Sequence, residues 1–184
     1  MNGRRLKACI VMGNIIPMKD KSLKLDLYLG IGSNLENPTK QIELSIQYLS
    51  DLDELEFIKV APMYESKPMG PPDQPNYINT VSFFKANIEP AVLLSEIKKI
   101  EEMMGRVSIS TKWSERIIDI DIVLFGDIEL ETDLLKIPHP LAFEREFVIK
   151  PLLDLDSNIY IPGQGFAKDL IKNCKYKVFN RIIS

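Results

Sequence analysis

The run Trp113-Ser-Glu-Arg116-Ile-Ile-Asp119-Ile-Asp121-Ile-Val-Leu-Phe125 sets two aspartates, two residues apart, in an otherwise apolar and β-branched strand. Strand side chains alternate, so Asp119 and Asp121 share one side of the sheet, and a rise of about 3.3 Å per residue leaves them roughly 7 Å apart. Two like charges held side by side are costly to bury unless a cation neutralises them. Oxygen donors with no cysteine or histidine in the run favour Mg²⁺, and the spacing can straddle a pair of ions. Arg116 adds a fixed cation just upstream. Standing alone, the run also suits a solvent-facing strand edge that happens to carry Asp-x-Asp.

Upstream of it, alternating Leu25, Leu27, Leu29 and Ile31 predict a first strand that runs into a glycine turn, Gly30-Ile-Gly32-Ser33-Asn34. Asn37 as N-cap and Pro38 at the first helical position open a helix with Ile42, Ile46 and Leu49 on one face. A second strand is expected over 55–60. The stretch 62–75, with Pro68, Gly70, Pro71 and Pro72, holds too many breakers for regular structure and reads as a long, stiff loop. A third strand over 77–86 leads to a helix begun by Pro90, with Leu93, Ile97, Ile100 and Met104 inward and Gly105 just past its end. With a second long loop over 106–117, the Asp-x-Asp strand completes the order β-α-β-β-α-β. That order is the α+β ferredoxin-like sandwich, an antiparallel sheet with two helices on one face and the other face open for a site. C-terminal additions follow: the loop Pro138-His139-Pro140, an amphipathic segment over 147–155 and a tail with Gly163 and Gly165.

A chain of 184 residues supports one well-packed domain. Residues 1–24 read as an N-terminal extension and 25–184 as the domain; Arg4, Arg5 and Lys7 before an apolar stretch suggest a signal peptide, but Pro17, Lys19 and Lys21 stand where its cleavage site should be. Hydrophobic residues make up 45% and charged residues 27%, with no apolar run long enough to cross a bilayer, so no membrane partner is expected. The net charge of −3 argues against nucleic acid as a partner and leaves small polyphosphates open. Cys9 and Cys174 form no CxxC or Cys/His cluster, which fits a cytoplasmic protein, expected as a monomer acting on small molecules.

Three stretches need one explanation: Gly30-x-Gly32-Ser-Asn34; Tyr64 to Asn79, containing Asp73-Gln74-Pro75-Asn-Tyr77-Ile-Asn79; and Trp113 to Asp121 with Pro138-His139-Pro140 behind. In order and spacing they resemble the 6-hydroxymethyl-7,8-dihydropterin pyrophosphokinase family, enzymes of folate biosynthesis that move a pyrophosphoryl group from ATP to a pterin alcohol. The match runs over 25–162. The resemblance implies the ferredoxin-like sandwich, ATP as co-substrate and two Mg²⁺ ions held by Asp119 and Asp121. It assigns catalysis to these aspartates with Arg106 and Arg116, and nucleotide contacts to Arg106, Arg116, His139, Arg145, Lys98 and Glu101. Arginines suit transferred phosphates, and a neutral imidazole can donate to a phosphate or sugar oxygen. Lys98 and Glu101 would equally serve as exposed helix polar residues. For the pterin, the resemblance points to Tyr77 and Phe147 stacked on the two ring faces, Asn79 reading the amino-pyrimidine edge, the loop of Ser66, Pro68 and Gly70 finishing the pocket, and Trp113 closing over it. Such stacking and an amide's donor–acceptor pair fit a flat heterocycle, although core packing is the commoner use of an aromatic.

The family's Trp-Gly-Pro-Arg is here Trp113-Ser114-Glu115-Arg116, and Ser108 stands where a loop arginine is usual, so weaker nucleotide affinity or loop ordering is expected. The loop 106–117 is expected to order only with both substrates. The absence of a Gly-x-x-x-x-Gly-Lys-Ser/Thr motif leaves metals and arginines to hold the phosphates. Two competing readings are another Mg²⁺-dependent, nucleotide-using transferase built on Asp-x-Asp and an RNA-recognition-type binding module; the latter lacks its aromatic signature.

Overall fold

The computed structural model describes residues 24–106 and 115–182. The expectations for the N-terminal extension, for Ser108, Trp113 and Ser114, and for the ordering of the loop they belong to lie outside the described residues.

The first strand, β1, spans Leu25–Ser33, so Gly30 and Gly32 lie within the strand and not in a turn. Both are held in register between neighbouring strands, which a turn would not allow. Helix α1, Pro38–Ser50, opens as the sequence predicts: the Asn37 side chain accepts a hydrogen bond from the Lys40 amide, and Pro38 needs no partner for an amide it lacks. Ile42 and Leu49 are buried, while Ile46 is half-buried and Ser45 takes the third inward position.

Strand β2 covers Leu55–Val60 and β3 covers Met63–Ser66. The second corrects the expectation that 62–75 holds no regular structure. The prolines from Pro68 onward do exclude it, but Met63–Ser66 alternates half-buried and buried side chains and pairs with β4, Tyr77–Ala86. Pro62 therefore splits one edge into two strands. β2 lies against the Ala86 end of β4 and β3 against the Tyr77 end, with the Ala61 amide bonded to the Val81 carbonyl at the break.

Helix α2, Pro90–Met103, ends at Met104, and Gly105 beyond it has φ +90°, a conformation that glycine adopts without strain. Strand β5, Asp119–Phe125, lies antiparallel to β1 at the end of the sheet. The short pairs β6 (Leu130–Glu131) with β7 (Lys136–Ile137), and β8 (Tyr160–Ile161) with β9 (Gly165–Phe166), flank helix α3, Glu146–Leu155. Helix α4, Ala167–Leu170, leads to β10, Val178–Ile182, which pairs with the outer side of β3. Among the described residues every pairing in the main sheet is antiparallel, in an α+β architecture with four α-helices.

Alternation along β1 separates two cores. Leu27, Leu29 and Ile31 pack with Ile42 and Leu49 of α1 and Leu93, Ile97 and Ile100 of α2. On the opposite face, Tyr28 joins Val81, Val123 and the α3 residues Phe147, Val148 and Leu152. This second face, expected to be open, is thus half covered by α3, and the part left bare forms the cavity. No helix among the described residues is long and apolar enough to cross a membrane.

Candidate active site

The cavity holds about 280 Å³ and its floor is the bare end of β1. Register sets the floor's neighbours: Gly32 lies between Asn79 of β4 and Asp119 of β5, and Gly30 between Val81 and Asp121. Each row spans two inter-strand steps, roughly 9–10 Å from flank to flank. A side chain at either glycine would enter the space above. A Cβ at Gly32 would stand 3.0 Å from Asn79 Oδ1 and 3.8 Å from Tyr77 Cδ1; one at Gly30 would meet Val123 Cγ2 at 3.1 Å.

On the β5 side, each carboxylate has its own cations. Asp119 pairs with Arg106 through Oδ1 at 2.8 Å and with Arg116 through Oδ2 at 2.7 Å. Asp121 has Arg145 at 3.6 Å and His139 Nε2 at 3.8 Å. Burial, reinforced by the neighbouring charge of Asp119, pushes the Asp121 carboxyl above the usual range, against the pull of His139 and Arg145. Burial likewise holds the His139 imidazole below its ordinary value, against the Asp121 charge. Its Nδ1 accepts a hydrogen bond from the Leu141 amide at 3.3 Å, so in the neutral ring the proton sits on Nε2, facing Asp121. Arg145 Nε is buried with no hydrogen-bond partner among the described residues.

On the β4 side, Asn79 is almost fully buried and its Nδ2 donates to Ser66 Oγ at 3.0 Å, which fixes the amide plane. Tyr77 and Phe147 also line the cavity, and Gly70 closes its rim. Burial raises the Tyr77 hydroxyl's pKa, so it stays protonated as a donor at neutral pH. The Arg145 guanidinium lies 5.8 Å from the Phe147 ring centre, joining the aromatic wall to the charged one.

Of the residues singled out from sequence, Ser66, Gly70, Tyr77, Asn79, Arg116, Asp119, Asp121, His139, Arg145 and Phe147 meet at this cavity. Arg106 stands behind Asp119, to which it is paired. Pro68, Lys98 and Glu101 do not line the wall. Glu101 is neither an exposed helix residue nor open to a ligand: it is 1% exposed. The two glycines, expected in a turn, lie in β1, and their alternation with Leu29 and Ile31 is the signal that places them on the cavity face. Asn34 ends the glycine-bearing motif, and its sequence context alone does not single it out. It is buried, donates from Nδ2 to the Pro75 carbonyl at 3.2 Å and accepts at Oδ1 from the Arg116 amide at 2.9 Å, tying the two loops that border the cavity. The Asn34 backbone N–H also donates to the Arg116 carbonyl at 3.2 Å, and Ser33 Oγ donates to the Ile117 carbonyl at 2.6 Å.

A half-open sheet face carries paired carboxylates ringed by arginines at one end and a buried amide among aromatic rings at the other, a combination with the size and donors to take a small ligand that is both planar and anionic. Residues 28–157 match the model of the 7,8-dihydro-6-hydroxymethylpterin-pyrophosphokinase (HPPK) family, and the chain belongs to that family. It is 37% identical over 145 residues to the 2-amino-4-hydroxy-6-hydroxymethyldihydropteridine pyrophosphokinase of Haemophilus influenzae, covering 79% of this chain and 90% of the relative. With the enzyme of the same name from Aquifex aeolicus it shares 40% identity over 136 residues, 74% of this chain and 83% of the relative. Among solved structures, Plasmodium falciparum HPPK-DHPS with pteroate superposes with a TM-score of 0.63 at 16% identity over 81% of this chain. That likeness concerns the fold, and the chain spans less than half, 42%, of the solved one.

Proposed function

We propose that this protein transfers a pyrophosphoryl group from ATP to 6-hydroxymethyl-7,8-dihydropterin, giving AMP and the pterin diphosphate, a step of tetrahydrofolate biosynthesis. The observation that carries the reading is the row Asn79–Gly32–Asp119: a buried amide suited to a heterocycle's edge and a carboxylate suited to a phosphate-bound cation face each other across a floor with no side chain.

The residues present fit Mg²⁺. Asp119 and Asp121 lie on one strand face, partly open to the cavity at 27% and 38% side-chain exposure, and desolvation, with the charge of Asp119 behind it, already raises the Asp121 carboxyl. Among the described residues there is no cluster of three or more His, Cys, Asp or Glu side chains suited to a metal. This suits a cation that completes its shell with substrate phosphate oxygens and water. In this reading Asp119 and Asp121 hold two Mg²⁺ ions, which when bound neutralise the triphosphate and draw charge toward the departing AMP.

The chain's own groups do the rest. Arg116, now on Asp119, lies on the cavity wall where phosphate oxygens would compete for it, Arg106 stands behind the same carboxylate, and Arg145 adds a second guanidinium to the wall. His139 presents Nε2–H as a neutral donor on the nucleotide side. Tyr77 and Phe147 stack on the pterin, while Asn79 and Ser66, with the loop backbone at Gly70, read its edge, and Pro68 stiffens that loop from outside the wall. The hydroxymethyl oxygen of the substrate is the nucleophile, so alignment over the glycine floor supplies the in-line geometry. Lys98 belongs to the nucleotide side through Glu101 and not through the cavity wall.

The same reading takes the core as a ferredoxin-like sandwich in which β2 and β3 together stand for one strand, with α3 to β10 as C-terminal additions. Residues 25–184 form the pyrophosphokinase domain and 1–24 an extension, in a cytoplasmic monomer; the family match, which begins at residue 28, supports that division. The test is AMP formation from ATP, strictly dependent on the pterin alcohol and Mg²⁺. Formation of ADP, or AMP without the pterin, would overturn it.

A further inference from the structure

Glu101 is the one acidic side chain of α2 that faces the interior. It falls eight residues after Leu93 and four after Ile97, on the apolar stripe of the helix, where a carboxylate is costly unless every oxygen is matched. Every oxygen is matched. Oε1 accepts the Ile120 amide at 2.8 Å and also takes Arg106, and Oε2 takes Lys98 Nζ at 2.7 Å. Among the described residues β5 ends the sheet and has β1 on one side only, so the Ile120 N–H that points away from β1 meets Glu101 where a further strand would otherwise offer a carbonyl. Ile120 is the residue between the two aspartates. The same carboxylate orients Arg106, whose NH1 also reaches Asp119 Oδ1.

Building on the pyrophosphokinase reading, we infer that Glu101 is a positioning residue, which fixes the aspartate-bearing strand through the Ile120 amide and aims Arg106 through its charge without touching either substrate. Its burial beneath the cavity wall separates this role from nucleotide binding. Two parts of one carboxylate then do two separable things. An amide oxygen can replace it for the Ile120 N–H, but it holds Arg106 far more weakly than the charge-assisted pair does.

Glu101→Gln keeps shape and acceptor and removes the charge. It should fold, keep the Ile120 amide slow to exchange with deuterium, lower kcat at least tenfold and leave the pterin dissociation constant within about twofold. In an Arg106→Ala background, where the residual rate is measurable by long-time AMP quench, adding Glu101→Gln should change kcat by less than about twofold, because the target of the charge is gone. Glu101→Leu, isosteric with the apolar stripe, should expose the Ile120 amide to exchange at least tenfold faster, even where turnover is lost entirely. A wild-type kcat in Glu101→Gln, losses that multiply with Arg106→Ala, or an Ile120 amide indifferent to Glu101→Leu would each overturn the inference. If the wild-type protein itself made no pterin-dependent AMP, the functional reading would fall, while the Ile120 exchange would still judge the positioning contact.

Discussion

Replacing Gly32 by alanine adds one methyl group, and the structure says where it goes. The added Cβ would stand 3.0 Å from Asn79 Oδ1, closer than an unbonded carbon and oxygen rest, and 3.8 Å from Tyr77. Gly32 lies in regular strand, outside the positive-φ conformations that burden alanine, so the backbone accepts the change; the loss of unfolded-state freedom even favours folding by about 0.4–1 kcal/mol. The strain therefore falls on Asn79, whose amide cannot turn without breaking its 3.0 Å bond to Ser66 Oγ. A pterin edge left unpaired in a buried site costs about 1–3 kcal/mol, or roughly 5- to 150-fold in dissociation constant. Titration calorimetry with the pterin alcohol, with and without Mg²⁺ and a non-hydrolysable ATP analogue, should show that loss. Nucleotide affinity should stay within about twofold, since the nearest groups to the new methyl are Asn79 and Tyr77 and none belongs to the arginines. A melting temperature at or above wild type would confirm that the fold is intact. Pterin affinity within twofold of wild type in such a folded variant would refute both the assignment of Asn79 and the reasoning from the floor.

The two aspartates should differ in stability although both variants lose turnover. Asp121→Asn should raise the metal-free melting temperature at pH 7 by no more than about 2 °C, since solvent screening discounts the gain at a side chain 38% exposed. The folded carboxyl titrates above its unfolded value, so its favourable contribution is present below about pH 4 and is lost as pH rises through the folded pKa; the gain from asparagine should fade on acidification, and a pH-independent gain would contradict the cause given. Asp119→Asn should lower the melting temperature by a similar amount, because Arg106 and Arg116 lose their shared partner; a higher one would show that these pairs contribute nothing. Asn34→Ala should cost about 1–3 kcal/mol in denaturant unfolding and weaken nucleotide binding through Arg116, and an unchanged unfolding midpoint would remove Asn34 from the loop-tying role.

Much of this was legible in the sequence because the local signals agree with the tertiary result. Asn37-Pro38 opens α1, Pro90 and Gly105 bracket α2, and the aspartates lie in a strand as their spacing requires. Proline density misled at 62–75: breakers act where they stand, and the stretch between Pro62 and Pro68 was free to pair with β4. Gly30 and Gly32 resemble a turn locally, and only their registration between β4 and β5 makes them a floor. Glu101 reads as a solvated helix charge until its position on the Leu93–Ile97 stripe is counted, and its partner, the outward amide of an edge strand, belongs to no motif. The site residues on loops were found by resemblance, since nothing in their spacing alone says that His139 and Arg145 converge on Asp121.

The bare floor also bears on how the protein could escape an inhibitor. A compound laid across Gly30 and Gly32 would rest on peptide groups, which no substitution can remove. The pocket can be remodelled there only by adding atoms, and an atom added at Gly32 presses on Asn79 and Tyr77, the groups proposed to hold the pterin, while one added at Gly30 presses on Val123. Resistance by change at the floor would thus be paid in the native reaction, whereas contacts made out toward Lys67 or Leu141 at the rim would leave the protein free to vary them.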